Sequence, residues 1–125
     1  MKGLVIRDAQ MDAFRQSLAR ALHLRLAAAV RSACADETAS WSDPMLLAVI
    51  ADEVTRAREH DIIDEIDCLH YIEFLFRHGA RGVTPAMPAV PAWAAEILAR
   101  RDLPGYRRLA LIDDHLRASR TSPQS

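Results

Sequence analysis

From residue 11 to residue 33, apolar side chains recur at three- and four-residue steps: Met11, Phe14, Leu18, Leu22, Leu26, Val30 and Ala33. No Pro or Gly interrupts the chain from Asp8 to Cys34. This spacing predicts one face of a long amphipathic helix, about 40 Å long at 1.5 Å per residue. Its other face carries Asp12, Gln16, Arg20, Arg31 and a lone Leu24. The period breaks at "ADETASWSDP". Ser42 and Asp43 suit an N-cap there, and Pro44 suits the first turn of a new helix. Leu46, Ile50, Val54 and Ala57 then form a buried stripe, with Leu47 at its edge, and that helix should end near His60.

The segment "HDIID" reads as a short connector, after which Asp64 can cap a third helix running from about Glu65 to His78. Gly79 follows, the residue best suited to a left-handed C-cap. At 100° per residue, Cys68, Leu69, Ile72, Leu75 and Phe76 share one broad apolar face, while Ile66, Tyr71 and Phe74 fall outside it. A helix apolar on more than one side is either covered twice or shows an aromatic patch to a partner. The segment "GARGVTPAMPAVP" predicts an irregular crossing stretch. Pro91 opens a short helix carrying Trp93, Ile97 and Leu98, "DLPG" breaks it, and a last helix from about Gly105 to Ala118 buries Leu109, Ile112 and Leu116. No stretch alternates as a strand. The expected fold is all-α: a single compact domain over 1–125, of four to five helices, with 1–7 and 119–125 flexible.

Composition narrows the function. At 125 residues and half apolar, the chain is long enough for a core of its own. Its net charge of −1 gives no global field toward nucleic acid or anionic membrane. The cations are nearly all Arg, with Lys2 the only lysine, a bias we read mainly as base composition. Cys34 and Cys68 belong to no CxxC pair, so buried free thiols in a reduced compartment are expected. The start "MKGLVIRDAQ" lacks the apolar stretch of a signal peptide, and no apolar run is long enough to cross a membrane. A cytoplasmic location is expected, with neither membrane nor nucleic acid as partner.

The stretch "HDIIDEIDCLHYIEF" at 60–74 concentrates acids, histidines and a cysteine. A metal site would draw on His60, Asp61, Asp64, Asp67 and His70. Asp67 with His70, and His70 with Glu73, have the i, i+3 spacing that puts ligands on one helical face. No matching second pair lies elsewhere; "DDH" at 113–115 points its neighbours to different faces. The acids are also explained locally, with Asp64 as cap and Glu65 and Asp67 in a first turn that favours negative charge. Cys68 sits on the predicted core face, where burial makes a thiol inert. No GxSxG elbow, GxGxxG turn or phosphate loop is present. Charge is uneven: Arg100, Arg101, Arg107, Arg108, Arg117 and Arg120 stand near the C-terminus, and seven acids lie in 52–67. The two regions either face each other, solvate, or present a dipolar surface to a protein. Tyr106 is the only stacking residue in the basic part, which argues against nucleic acid.

Taken in order, "IRDAQMDAF", "LRLAAAVR", "WSDPMLLAVI", "VTRAREHDIIDEIDCLHYIEFLFRHG" and "PAWAAEIL" resemble small helical proteins of Gram-negative bacteria. Their genes sit beside type VI secretion spike and effector genes. The resemblance covers roughly residues 5–118. It departs at Arg7, where a threonine-like cap is common, and at Asp61, where a glycine is common. The resemblance implies a genomic neighbourhood more than an activity. With the lack of a catalytic constellation and the surplus apolar surface of the third helix, the expected function is a non-enzymatic adaptor or chaperone for a secreted effector, with no catalytic residue, metal or cofactor. Two alternatives remain: an immunity protein blocking a toxin with the acids of 59–67, and a metal-dependent enzyme using Asp67, His70 and Glu73. For partner contact the expected residues are Trp41, Ile66, Asp67, His70, Tyr71 and Phe74.

Overall fold

The computed structural model describes the backbone of residues 2–79 and 89–121, and side chains from 8 to 79 and from 89 to 120. Its described residues form six helices: α1 (Lys2–Ala33), α2 (Ala35–Thr38), α3 (Asp43–Glu59), α4 (Glu65–His78), α5 (Ala92–Leu98) and α6 (Gly105–Thr121). The fold is all-α. α3 and α4 fall where the sequence placed them. α2 is one turn hidden in the segment where the period breaks. Helix extends over 2–7 and 119–121, which the sequence reading left flexible. Most of the proline-rich crossing stretch lies outside the described residues.

α4 is the centre, packing against α1, α2, α3 and α6. Its residues Cys68, Tyr71, Ile72, Phe74, Leu75 and Phe76 are all buried, so it is apolar on several sides because it is covered on several sides. Phe76 meets the Trp41 ring edge-on at 5.6 Å. Phe74, on another side, meets Trp93 of α5 edge-on at 5.7 Å, and Trp93 stacks on His115 of α6 at 3.9 Å.

The caps differ from expectation in two places. Ser42 does cap α3, its Oγ accepting from the Met45 N–H at 3.3 Å. Asp64 occupies the N-cap position of α4 but its side chain accepts no capping bond. Gly79 ends α4 with φ −68°, not left-handed. The left-handed residue among those described is instead Asp61, at φ 61° in the α3–α4 turn. Its Oδ2 accepts from the Gly105 N–H at 3.4 Å and so caps α6 from 44 residues away.

Arginines from elsewhere in the chain hold the C-terminal ends of four helices. Arg77 donates to the Ala33 carbonyl at the end of α1 (2.9 Å). Arg31 donates to the Thr38 carbonyl at the end of α2 (2.7 Å) and to that of Trp41 (2.6 Å). Buried Arg108 donates to His60 beyond α3 (2.8 Å), Leu98 at the end of α5 (3.2 Å) and Leu103 (2.8 Å). Helix C-termini carry unsatisfied carbonyls and partial negative charge, and a guanidinium with several donors answers both.

Candidate functional site

The residues expected to meet a partner do not form one surface. Tyr71 and Phe74 are only 1% and 6% exposed and belong to the core under α5, α6 and the end of α3. This corrects their assignment as contact residues: one helix face could not hold them, but a second layer of helices does. Trp41 and Asp67 are half-buried, and Ile66 and His70 are exposed at the start of α4.

The acidic stretch is largely engaged in structural contacts. Glu65 accepts from Arg25 of α1 at 2.9 Å, and that hydrogen bond holds its carboxyl below the usual range. Glu73 pairs with Arg77 at 3.7 Å, and Asp61 holds Gly105. Among the described residues no group of three His, Cys, Asp or Glu is placed to hold a metal. Both cysteines are buried, unpaired thiols, and burial pushes each above the ordinary thiol value. The acidic end of α3 and the Arg-rich α5–α6 link do meet, around a hollow of about 400 Å³. Arg108 there is committed to carbonyls, and Asp102 to Arg100 at 2.7 Å.

One buried carboxylate remains. Glu53 lies on the inner side of α3, its Oε1 2.6 Å from Arg56, and its charge helps burial push the Tyr71 phenol up to about 12. Burial raises the Glu53 carboxyl above its ordinary 4.5, against the pull of Arg56. It lines neither the hollow beside Arg108 nor the groove between α1 and α3. Because its folded pKa is raised, Glu53 favours the fold most below pH 4.5, and that contribution declines as pH rises through the raised value. The stability of the native protein relative to Glu53→Gln should therefore fall from acid to neutral pH, read from urea midpoints across that range. A difference that grows with pH would show that the ion pair with Arg56 outweighs burial, and a flat one that the two cancel; either overturns the expectation.

What the sequence reading missed lies on α1. Its apolar row splits at Leu22. Leu26 and Val30 are buried and Leu22 packs against the core, but every described residue from Asp8 to Arg20 is exposed. Met11, Phe14 and Leu18 stand 47%, 59% and 56% open. On the opposite side of α1, a groove of about 900 Å³ opens against α3, lined among others by Arg20, His23, Leu24, Leu47, Ala48 and Ala51. Several alanines and three leucines, Leu24, Leu46 and Leu47, line it. The signal was present in the lone Leu24 on a polar face and in Leu47 at the edge of its stripe. Burial, aided by Arg58, lowers the pKa of His23 below its ordinary value. Arg20 makes no ion pair among the described residues. Among them no helix is long and apolar enough to cross a membrane. Comparison of the chain with protein-family models, curated proteins and solved structures gives no match.

Proposed function

We propose that this chain is a non-enzymatic protein-binding module that takes an amphipathic helix of its partner into the groove between α1 and α3. The groove itself carries the reading: about 900 Å³ of largely apolar space, roughly the size of a built binding cleft. Its alanine lining lets a second helix approach closely, and Leu24 and Leu47 offer contacts for apolar anchors spaced one turn apart. Arg20 on the rim favours an acidic flank on the incoming helix. The resemblance to proteins encoded beside type VI secretion genes supports a secreted effector as the partner, with this chain as its adaptor or chaperone.

The test is co-expression and co-purification with the effector encoded at the same locus. The native chain should form a stable complex, and Ala48→Arg, at an exposed wall of the groove, should abolish it without unfolding the domain. A chain that ignores every protein of its locus would end the adaptor reading. So would rescue of cells from a toxin with no effect on its delivery, which is the behaviour of an immunity protein.

A further inference from the structure

We propose that the projecting half of α1 pairs with the same segment of a second copy, antiparallel, on the side of the helix away from the groove. The inference goes beyond the groove reading. At 100° per residue, Phe14 and Leu18 lie roughly 160° round the helix from Gln16, Arg20 and Ala27.

Three observations lead there. First, Met11, Phe14 and Leu18 continue the row that Leu22, Leu26 and Val30 pack into the core. The row does not end where the bundle ends. Second, the stretch from Asp8 to Arg20 is exposed throughout. A helical segment of this length is marginal in water without tertiary support, and an open apolar row calls for cover. Third, the charges beside the row are arranged for a mate running the opposite way. Asp8 and Arg15 lie two turns apart on one edge of it. In an antiparallel pair that edge meets its own symmetry mate, so Asp8 of each copy comes opposite Arg15 of the other. A parallel pair would offer Arg15 only Gln10. Within the chain Arg15 has just the i, i+3 partner Asp12, 3.9 Å away with both side chains well exposed, a contact worth little.

The length fits as well. α1 projects from Lys2 to about Leu22, a rod of about 30 Å whose midpoint is Asp12. A two-fold axis between Asp12 and Ala13 overlaps the two rods along their whole length. It sets Met11 of one copy against Phe14 of the second and leaves the two bundles at opposite ends, clear of each other. Both grooves stay open. The seam is short, at the small end of specific interfaces, so the pairing is a reversible equilibrium in the micromolar range.

Sedimentation equilibrium on the full chain, without any partner, tests this. The native protein should show a monomer–dimer equilibrium, and Phe14→Asp should be monomeric. Asp8→Arg and Arg15→Asp should each weaken the dimer by about tenfold or more, since each turns two symmetric attractions into repulsions. An equimolar mixture of those two variants should recover native affinity as a heterodimer, because one chain then carries only positive and the other only negative charge at these positions. All three substitutions are at exposed positions, and circular dichroism checks that the variants stay folded. A native chain that remains monomeric at high micromolar concentration overturns the proposal. A Phe14→Asp chain that still dimerises overturns it too, as does a mixture no tighter than its components. Ala48→Arg should leave the dimer unchanged, so loss of effector binding and loss of self-association are separable results.

Discussion

Gly105→Ala should destabilise the domain by at least about 3 kcal/mol, the upper end of the usual cost of overpacking. Gly105 is buried at the first residue of α6, pressed against the α3–α4 turn. A methyl group there would overlap the main-chain carbonyl of Asp61 and come within 3.0 Å of the Ile62 nitrogen. Backbone cannot swing aside as a side chain can, so α6 must lift off the turn. That movement breaks the Asp61–Gly105 hydrogen bond and strains the hold of Arg108 on the His60 carbonyl. The measurement is urea unfolding, with the midpoint shifted and the slope unchanged. Asp61 itself provides a control. Its φ of 61° costs roughly 1–2 kcal/mol for an ordinary L-residue, so Asp61→Ala should be worse than Asp61→Gly by about 1 kcal/mol. Neither should rescue Gly105→Ala, because the clash is with main chain.

Phe74→Ala should cost about 3–5 kcal/mol, as deletion of a buried aromatic does. Its ring lies between Trp93 at 5.7 Å and His78 at 5.8 Å, and removing it takes away the support of the Trp93–His115 stack that joins α5 to α6. Thermal unfolding would show the loss as a large drop in melting temperature. Under conditions where the variant is still folded, its affinity for a partner should equal that of the native chain. An affinity loss without a stability loss would return Phe74 to the surface role first expected of it.

The sequence revealed local things well. Ser42, Asp43 and Pro44 mark the start of α3, and the α4 limits follow from Asp64 and Gly79, although neither residue caps in the way its type suggests. Periodicity told which α1 residues share a face. It could not tell where along the row burial stops, because that depends on how far the helix outruns its neighbours. Tyr71 and Phe74 were ambiguous for the same reason: a single helix has no record of how many sides are covered. Arg31 and Arg108 looked like surface charge. Apart from the Asp43 carboxylate on Arg31, their targets are main-chain carbonyls, which leave no trace in residue type. Asp61 was legible only as part of a connector, because its bond to Gly105 joins positions 44 residues apart.

The long-range arginines and Asp61 bear on how this domain comes apart. α1, α2, α3 and α5 each have a terminal or flanking carbonyl bonded by a residue that arrives only when another element has docked, and α6 begins under a cap lent by the α3–α4 turn. Local bonds close part of these ends, as Ile62 and Asp61 do on the Ala57 and Arg58 carbonyls of α3, and the long-range donors complete them. A partly folded chain therefore has frayed helix ends as well as missing contacts, and every such end raises the free energy of an intermediate relative to both the native and the unfolded states. The architecture disfavours stopping half-way, and local helix formation is tied to the single transition in which the whole bundle closes.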